Sequence, residues 1–371
     1  MSVVIGQPLY INCPVSGTPP PQVTWYKDDQ VVSPELDPNL RIHANGRRLE
    51  IVSAKVTDRG RYQCVGENVA GETLKNYTVD VYVPPKINKE TINSNPNVIV
   101  NTTAVVNCPV SGIPTPEILW YRNGVLLDSN INRRFEILAD GRQLRIHSAK
   151  VKDRGRYTCS SRNRAGEDST DFNLTVWVPP SIEGPVGVSE VAVKEEESIT
   201  LYCNVTGIPP PEIIWSKNND IIDPQDENMD NLRILLDGKI LKVLDASTDD
   251  TARYICQVKN KAGVAEKFYN LEVLVPPKIN GSDELQVVPV IMDQSVRLEC
   301  PAVGIPTPVI RWYRQGKQIP LYGLPNVRII ENGRVLIIIS AQLLDFGDYS
   351  CQVQNDAGKD KLEFLVSILG K

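Results

Sequence analysis

The sequence predicts an all-β protein made of four copies of one domain of about 95 residues, joined end to end. Three observations predict this: cysteines recur in pairs, apolar residues alternate with period two, and an Asn-Gly or Asp-Gly dipeptide stands at the same place in each copy. Successive cysteines are 51, 44, 51, 44, 53, 44 and 51 residues apart. A repeat of this length is the size of a small domain and is far longer than a solenoid repeat.

Apolar residues alternate with polar ones around the first cysteine of each copy, as in Leu9, Ile11, Cys13 and Val15. Such alternation is typical of half-buried strands, and no segment has a sustained helical period. The glycine dipeptides tolerate positive φ and close tight hairpins. They are Asn45-Gly46, Asp140-Gly141, Asp237-Gly238 and Asn332-Gly333.

Aromatic residues recur at fixed distances from the cysteines. A tryptophan stands twelve positions after each first cysteine, and a tyrosine stands two positions before each second one. The tryptophans are Trp25, Trp120, Trp215 and Trp312, and the tyrosines are Tyr62, Tyr157, Tyr254 and Tyr349. Each tyrosine is preceded by an aspartate, and each second cysteine is followed by Asn-x-Ala-Gly. One pattern of residues is therefore repeated four times over the whole chain.

This pattern resembles the immunoglobulin domain, and its Asp-x-Gly-x-Tyr-x-Cys motif appears at Asp58–Cys64, Asp153–Cys159 and Asp345–Cys351. The cysteine spacing is similar to that of the intermediate set (I-set). The resemblance implies four tandem Greek-key β-sandwiches, each with a disulfide between its sheets, a tryptophan packed on it and a tyrosine corner. It also implies the disulfides Cys13–Cys64, Cys108–Cys159, Cys203–Cys256 and Cys300–Cys351.

The resemblance further implies a buried ion pair. In the family, an arginine at the start of the fourth strand pairs with the aspartate before the tyrosine. The corresponding arginines, 23 positions before the second cysteine, are Arg41, Arg233 and Arg328. Domain 2 has Glu136 there, with Arg133 and Arg134 just upstream. The ion pair is therefore predicted for three domains and is in doubt for Asp153.

Val-Pro-Pro marks each junction and predicts domains at residues 1–83, 84–178, 179–275 and 276–371. Because proline fixes φ and biases its predecessor to extended conformations, we expect stiff junctions and an extended rod. Only twelve residues precede Cys13, whereas 22 residues separate Val-Pro-Pro from the first cysteine of each other domain. We therefore expect that domain 1 lacks its first strand, and that this chain is a piece of a longer array without its signal peptide.

The Val-Pro-Pro junctions and the Gly-x-Pro-x-Pro turns, Gly112–Pro116 and Gly304–Pro308, are most similar to hemicentins. This resemblance implies a secreted, structural and adhesive segment of the extracellular matrix or basement membrane. Its partners would be matrix or cell-surface proteins, including a second copy. The alternatives are the ectodomain of a neural or receptor-type adhesion protein, a muscle-type intracellular array and an enzyme fragment. Eight cysteines in complete pairs favour an oxidising compartment.

Composition argues against several other functions. The net charge of −5 argues against a general nucleic-acid surface, and no apolar run is long enough to span a membrane as a helix. The two histidines, His43 and His147, cannot form a histidine-rich metal site or a repeated catalytic base. There is no glycine-rich phosphate loop and no cluster of calcium or zinc ligands. We therefore expect no catalytic residue, no metal and no cofactor.

Three further features are candidates for modification or binding. Five sequons predict N-glycosylation at Asn76, Asn101, Asn173, Asn204 and Asn280. Net charge is +4 for domain 2 and −8 for domain 3, and the arginines Arg154, Arg156, Arg162 and Arg164 are a candidate site for a sulfated glycan or an acidic protein face. Tyr82, Trp177 and Leu274, each just before Val-Pro-Pro, are expected to pack against the next domain.

Overall fold

The chain folds into four β-sandwiches in two compact units, Met1–Val178 and Pro179–Lys371. The structure is a computed structural model that describes residues 1–128, 133–185, 187–223, 230–281 and 283–370. Within these ranges there is no α-helix. Short 3-10 helices lie at Val56–Asp58, Lys89–Thr91, Val151–Asp153, Thr248–Asp250, Glu331–Gly333 and Leu343–Asp345. The all-β class and the four tandem sandwiches predicted from the sequence are confirmed.

Domain 1 consists of two sheets that face each other. Its strands are β1 (Ser2–Val4), β2 (Leu9–Asn12), β3 (Gln22–Lys27), β4 (Gln30–Val31), β5 (Leu40–His43), β6 (Arg48–Ile51), β7 (Gly60–Asn68) and β8 (Gly71–Ile87). One sheet has the order β2-β6-β5. The other has the order β1-β8-β7-β3-β4, in which β1 runs parallel to β8.

Domain 2 repeats this arrangement. Its strands are β9 (Asn97–Ile99), β10 (Ala104–Asn107), β11 (Val110–Ile113), β12 (Glu117–Arg122), β13 (Val125–Leu126), β14 (Phe135–Leu138), β15 (Gln143–Ile146), β16 (Gly155–Asn163) and β17 (Gly166–Ile182). The sheets have the orders β10-β15-β14 and β9-β17-β16-β12-β13. The end of β8 pairs with β11, so one strand belongs to both domains of the unit.

Domain 3 begins the second unit with the same two sheets. Its strands are β18 (Val188–Lys194), β19 (Ile199–Tyr202), β20 (Val205–Ile208), β21 (Glu212–Lys217), β22 (Asp220–Ile221), β23 (Leu232–Leu235), β24 (Ile240–Val243), β25 (Ala252–Asn260) and β26 (Gly263–Ile279). The sheets have the orders β19-β24-β23 and β18-β26-β25-β21-β22.

Domain 4 follows without a free linker, because the end of β26 pairs with its strand β29. Its strands are β27 (Gln286–Ile291), β28 (Val296–Glu299), β29 (Ala302–Ile305), β30 (Val309–Arg314), β31 (Lys317–Gln318), β32 (Val327–Ile330), β33 (Val335–Ile338), β34 (Gly347–Gln354) and β35 (Lys359–Leu369). The sheets have the orders β28-β33-β32 and β27-β35-β34-β30-β31. At the junctions inside both units, β8 and β26 thus continue through Val-Pro-Pro.

The leading strands of the four domains can be matched by their pairing, and the loss of a first strand from domain 1 stays a prediction. Strand β1 is present and is equivalent to β9, β18 and β27, which also run parallel to the last strand of their domains. In domains 2 and 4, an earlier segment enters the domain and pairs with β11 or β29. Among the described residues of domain 1 this earlier segment has no equivalent, and residues 13–17 are not a strand.

The glycine dipeptides close the hairpins that the sequence predicts. In domain 1 the turn between β5 and β6 has Ala44 and Asn45 at φ 54° and Gly46 at φ 87°. A Cβ on Gly46 would lie 2.8 Å from Cβ of Val23. Only glycine satisfies both the left-handed backbone and the close approach of the turn to β3.

Candidate binding surfaces

The core of each domain fixes which side chains point outward. The four predicted disulfides are all formed, and no free cysteine occurs among the described residues. Each recurring tryptophan lies directly opposite the second cysteine on the neighbouring strand, as Trp25 does opposite Cys64. All four tryptophans and all four corner tyrosines are buried. The alternate residues of these strands therefore form the outer face of the larger sheet.

Each tryptophan also makes a hydrogen bond that sequence reasoning missed. Its indole N–H donates to the carbonyl of the turn glycine, at 2.7–2.8 Å in all four domains. The acceptors are Gly46, Gly141, Gly238 and Gly333. The glycine of the dipeptide therefore serves the core as well as the hairpin, because a buried indole N–H needs a partner. Its constant spacing of 18 residues from the second cysteine was the available signal.

The tyrosine corners form as the resemblance implies. Each tyrosine hydroxyl donates to the backbone carbonyl of the aspartate four residues upstream, over 2.8 to 3.3 Å. The four aspartates, Asp58, Asp153, Asp250 and Asp345, are buried. Burial raises the pKa of the Tyr157 hydroxyl to about 12, which keeps it a donor at neutral pH.

The arginine predicted as the partner of the aspartate is wrong in domains 1, 3 and 4, and the doubt about a pair at that position in domain 2 was justified. The side chain 25 positions before the second cysteine reaches the carboxylate, and the side chain 23 positions before does not. In domain 2 this residue is Arg134, which donates to both carboxylate oxygens of Asp153 at 2.6 and 3.0 Å. The other domains use an amide at this position: Asn39, Asn231 and Asn326. Alternation along β5, β23 and β32 directs the predicted arginines outward, and Arg233 and Arg328 donate to nearby backbone carbonyls.

Domain 2, where the pair was in doubt, is therefore the domain in which this position is an arginine. In domains 3 and 4 a cation from another strand lies near the aspartate carboxylate: Lys217 is 2.9 Å from Asp250, and Arg314 is 3.3 Å from Asp345. The Asp153 side chain is completely buried, and Arg122 lies 4.0 Å away as a second cation. Burial alone would raise the pKa of Asp153. The hydrogen bonds from Arg134 and the Lys150 N–H, with the charges of Arg134 and Arg122, hold it below its ordinary value near 3.8.

Side-chain amides bind the chain where it enters a domain. At the junction of domains 1 and 2, Asn163 Nδ2 donates to the carbonyls of Val83, at 2.8 Å, and Pro114, at 2.9 Å. At the junction of domains 3 and 4, Asn355 makes the same two bonds to Val275 and Pro306. The asparagine of Asn-x-Ala-Gly thus fixes Val-Pro-Pro to the following domain.

The apolar residues before Val-Pro-Pro are half-buried beside the leading strand of their own domain. Tyr82 is paired with Val4, and Leu274 is paired with Lys194. Trp177 is paired with Ile99. The expectation that they pack against the next domain stays a prediction.

The five sequon asparagines are exposed, as strand alternation predicts. Asn76 and Asn173 lie on the outer face of β8 and β17, and Asn204 directly follows the buried Cys203. Asn101 has φ 65° in the turn before β10. Asn280 is described, but Ser282 of its sequon lies outside the described residues. Glycosylation remains a prediction for all five.

The candidate arginines of domain 2 are exposed, but they form two pairs rather than one cluster. Arg156 and Arg162 both point outward from β16 and are six residues, or about 20 Å, apart. Arg154 and Arg164 lie just beyond the two ends of the strand. Arg156 is 3.8 Å from Asp171. Arg162 is directly opposite Glu117 on one side and Glu167 on the other, so acidic neighbours reduce its positive potential.

Within the described ranges, no group of three or more histidine, cysteine, aspartate or glutamate side chains could hold a metal ion. No helix there is long and apolar enough to cross a membrane.

Comparisons with known proteins agree with the fold. The family model of the immunoglobulin I-set domain matches residues 1–81, 85–176, 180–273 and 281–368. Human Hemicentin-1 is 39% identical over 99% of this chain, and this chain spans 6% of its length. Neural cell adhesion molecule 1-B of Xenopus laevis is 28% identical over 97% of the chain, which spans 33% of that protein. A titin fragment, I67–I69, superposes with a TM-score of 0.57 at 21% identity, covering 77% of this chain and 99% of the fragment.

Proposed function

Because the chain belongs to the immunoglobulin I-set family, we propose that it is a non-enzymatic, structural and adhesive segment of an extracellular matrix protein. In this role its domains bind other proteins through their outer faces and loops. The observation that carries the proposal is the match to Hemicentin-1 at 39% identity over all four domains. The alternative, the ectodomain of a neural adhesion protein, is supported by the weaker match to Neural cell adhesion molecule 1-B.

The junctions support a structural role. Asn163 and Asn355 each tie the carbonyl of the last valine of one domain to the next domain. The strands β8 and β26 are shared between two domains, so bending a junction would break backbone hydrogen bonds as well. Within each unit, such a junction limits the movement of one domain relative to the next, as a structural role requires.

The proposal includes a second kind of partner, a linear polyanion such as a sulfated glycan, at domain 2. The Arg154–Arg156 pair and the Arg162–Arg164 pair lie at opposite ends of β16, about 20 Å apart. One sulfate group cannot contact both pairs. A chain of sulfates, or an extended acidic protein surface, can contact both, and its binding would weaken in high salt.

Attachment of cells tests the proposal. The chain is expressed through a secretory pathway, immobilised on a surface, and presented to cells that contact matrix. We expect dose-dependent attachment that excess soluble chain inhibits. The matched control is the same chain after reduction and alkylation of its cysteines. Equal attachment to both surfaces, or attachment to neither, would contradict the proposed function.

Sequencing the full transcript beyond residue 371 would distinguish a matrix protein from the ectodomain of an adhesion protein. Further immunoglobulin domains of the same type would support a matrix protein. A membrane-spanning helix followed by a cytoplasmic domain would support a neural or receptor-type adhesion protein.

A further inference from the structure

The larger sheet of domain 4 has an apolar surface on its outer face, near the start of β34 and the last part of β35. Val287 on β27 is paired with Leu365 on β35, so the two side chains lie side by side on this face. Phe346 comes immediately before β34, and Leu344 lies in the 3-10 turn before it. Val287 is 60% exposed, Phe346 55% and Leu344 86%. We call these four residues the domain-4 apolar face.

The position of Phe346 relative to β35 follows from the strand register and from domain 1. Gly347 is paired with Val366, which places Phe346 beside Ser367. In domain 1 the equivalent residue, Arg59, reaches across the same gap to Asp80, with Nε 3.3 Å from Oδ1. The register therefore places Phe346 at the outer side of β35, two positions along that strand from Leu365. The residue of β34 directly opposite Leu365 is Asp348.

The other three domains have polar residues at these positions. Where domain 4 has Leu365, the others have Thr78, Asn173 and Asn270. Where domain 4 has Phe346, they have Arg59, Arg154 and Thr251; where it has Leu344, they have Thr57, Lys152 and Asp249. The fold therefore does not require apolar side chains on this face, and an exposed apolar patch of this kind marks a contact surface.

The neighbouring domain of the chain does not explain the surface. In domains 1 and 3 the turn equivalent to Leu344 remains exposed although a further domain follows in the same unit, as Thr57 and Asp249 show. A domain placed after domain 4 in the same way would leave this turn exposed as well. The apolar residues are therefore available to a partner from outside the chain.

We propose that the domain-4 apolar face is a self-association surface, on which a second copy of this chain packs by its own domain-4 apolar face. This inference names a partner for the protein-binding function proposed above and rests on it. Residues 276–371 contain ten basic and ten acidic residues. Two copies of domain 4 therefore meet without net repulsion, whereas two copies of domain 2, at +4, or of domain 3, at −8, would repel each other.

Shape and size agree with this partner. A sheet face is self-complementary under a two-fold axis, and two such faces pack about 10 Å apart. The four side chains with the adjoining Leu343 expose roughly 400 Å² of apolar surface. Two copies would bury about twice that, and a polar rim brings the total to the low end of specific interfaces, about 1,200 Å². The expected dimer is weak, with a dissociation constant of about 10 µM or above.

The proposed dimer also avoids glycans. The residue of domain 2 equivalent to Leu365 is Asn173, the asparagine of a sequon. A glycan there would cover the same face of domain 2. No sequon occurs in residues 283–371.

Sedimentation velocity of the secreted full chain, from about 1 to 200 µM, tests the inference. We expect a concentration-dependent dimer that is unchanged or stronger at 0.5 M salt, because apolar contacts are not screened. The variant Phe346→Arg with Leu365→Thr, the two residues that domain 1 has at these positions, should weaken the dimer at least tenfold. Thermal unfolding of the variant should match the parent chain, since both sites are on the surface.

The control pair is Leu321→Thr with Tyr322→Arg, which changes two exposed residues elsewhere in domain 4. They follow β31, the edge strand opposite β27, so this pair should leave the dimer unchanged. A chain that stays monomeric throughout, a dimer that the first variant leaves intact, or equal weakening by the control would each overturn the inference. If the monomeric chain still supports cell attachment, only this inference fails and the proposed function stands.

Discussion

Replacement of Arg134 by methionine is expected to destabilise domain 2 far more than any other single arginine replacement in that domain. Methionine keeps most of the aliphatic length but removes both hydrogen bonds to Asp153, whose side chain is completely buried. Breaking a buried pair by removing one partner costs about 3–5 kcal/mol, because an uncompensated charge remains. Arg122 is 4.0 Å away, and the Lys150 N–H still donates, so we expect the low end, about 3 kcal/mol.

The assay has to report on domain 2 alone, because a four-domain chain does not unfold in one two-state step. Hydrogen exchange read by mass spectrometry on peptides from β16 meets this need. A loss of about 3 kcal/mol corresponds to exchange faster by about two orders of magnitude. Peptides from domain 4 of the same molecule serve as an internal reference and should not change.

Two matched variants separate the ion pair from the loss of charge or bulk. Arg133→Met removes a neighbouring exposed arginine and should change exchange by less than a factor of about three. Arg134→Asn supplies the amide that the other domains use on their aspartates, and should recover part of the loss. Equal acceleration in Arg134→Met and Arg133→Met, or none in either, would refute the reasoning.

Three further predictions concern pH, the junction and the polyanion surface. Because the folded-state pKa of Asp153 is lowered, its bonds contribute stability that is fully present above the unfolded-state pKa near 3.8 and is lost as pH falls through the folded-state value. Hydrogen exchange of β16, measured at decreasing pH, should show this loss of stability in the parent chain and a smaller loss in Arg134→Met. Asn163→Ala should destabilise domain 2 by about 1 kcal/mol more than Asn68→Ala destabilises domain 1, because Asn163 also donates to the preceding domain. If hydrogen exchange shows that the two variants lose the same stability, the bond from Asn163 to Val83 does not stabilise the junction. Replacing Arg154 and Arg156 with serine should shift elution from heparin to lower salt, and elution unchanged by both replacements would rule out their contribution.

The sequence predicted what depends on short, fixed spacing along a strand. Cysteine and tryptophan positions predicted the sheets, since residues opposite each other on neighbouring strands must recur at constant separations. With the family resemblance, they also predicted the disulfides between the two sheets. The same regularity predicted that Asn173 points outward. These features depend on backbone geometry alone, which the repeat preserves.

The sequence could not predict which side chain reaches across a loop. The partner of Asp153 lies two residues before the position that the resemblance gave. Arg134 precedes β14, so strand alternation does not decide where its side chain points. Asparagine in three copies at the inward position was a usable signal. The arginines of domain 2 were expected close together, but Arg156 and Arg162 are separated by the rise of β16.

The sequence did not predict the domain-4 apolar face, because its residues are brought together only by the fold. Val287 and Leu365 are 78 positions apart and become neighbours only through the parallel pairing of β27 with β35. Phe346 and Leu344 lie in or next to a turn, where a single apolar residue does not by itself indicate a binding surface. Only comparison of equivalent positions in the four folded domains shows that domain 4 differs.

The extracellular role is tested most directly by mapping the disulfides and glycans of the protein isolated from its own tissue without reduction. The account predicts four bridges, one within each domain, and glycan on the exposed sequon asparagines, including Asn76 and Asn173. These modifications arise together only in a secretory, oxidising compartment. Free thiols at all eight cysteines with unmodified asparagines would contradict the account, because they would place the chain in a reducing compartment where no matrix partner can reach it.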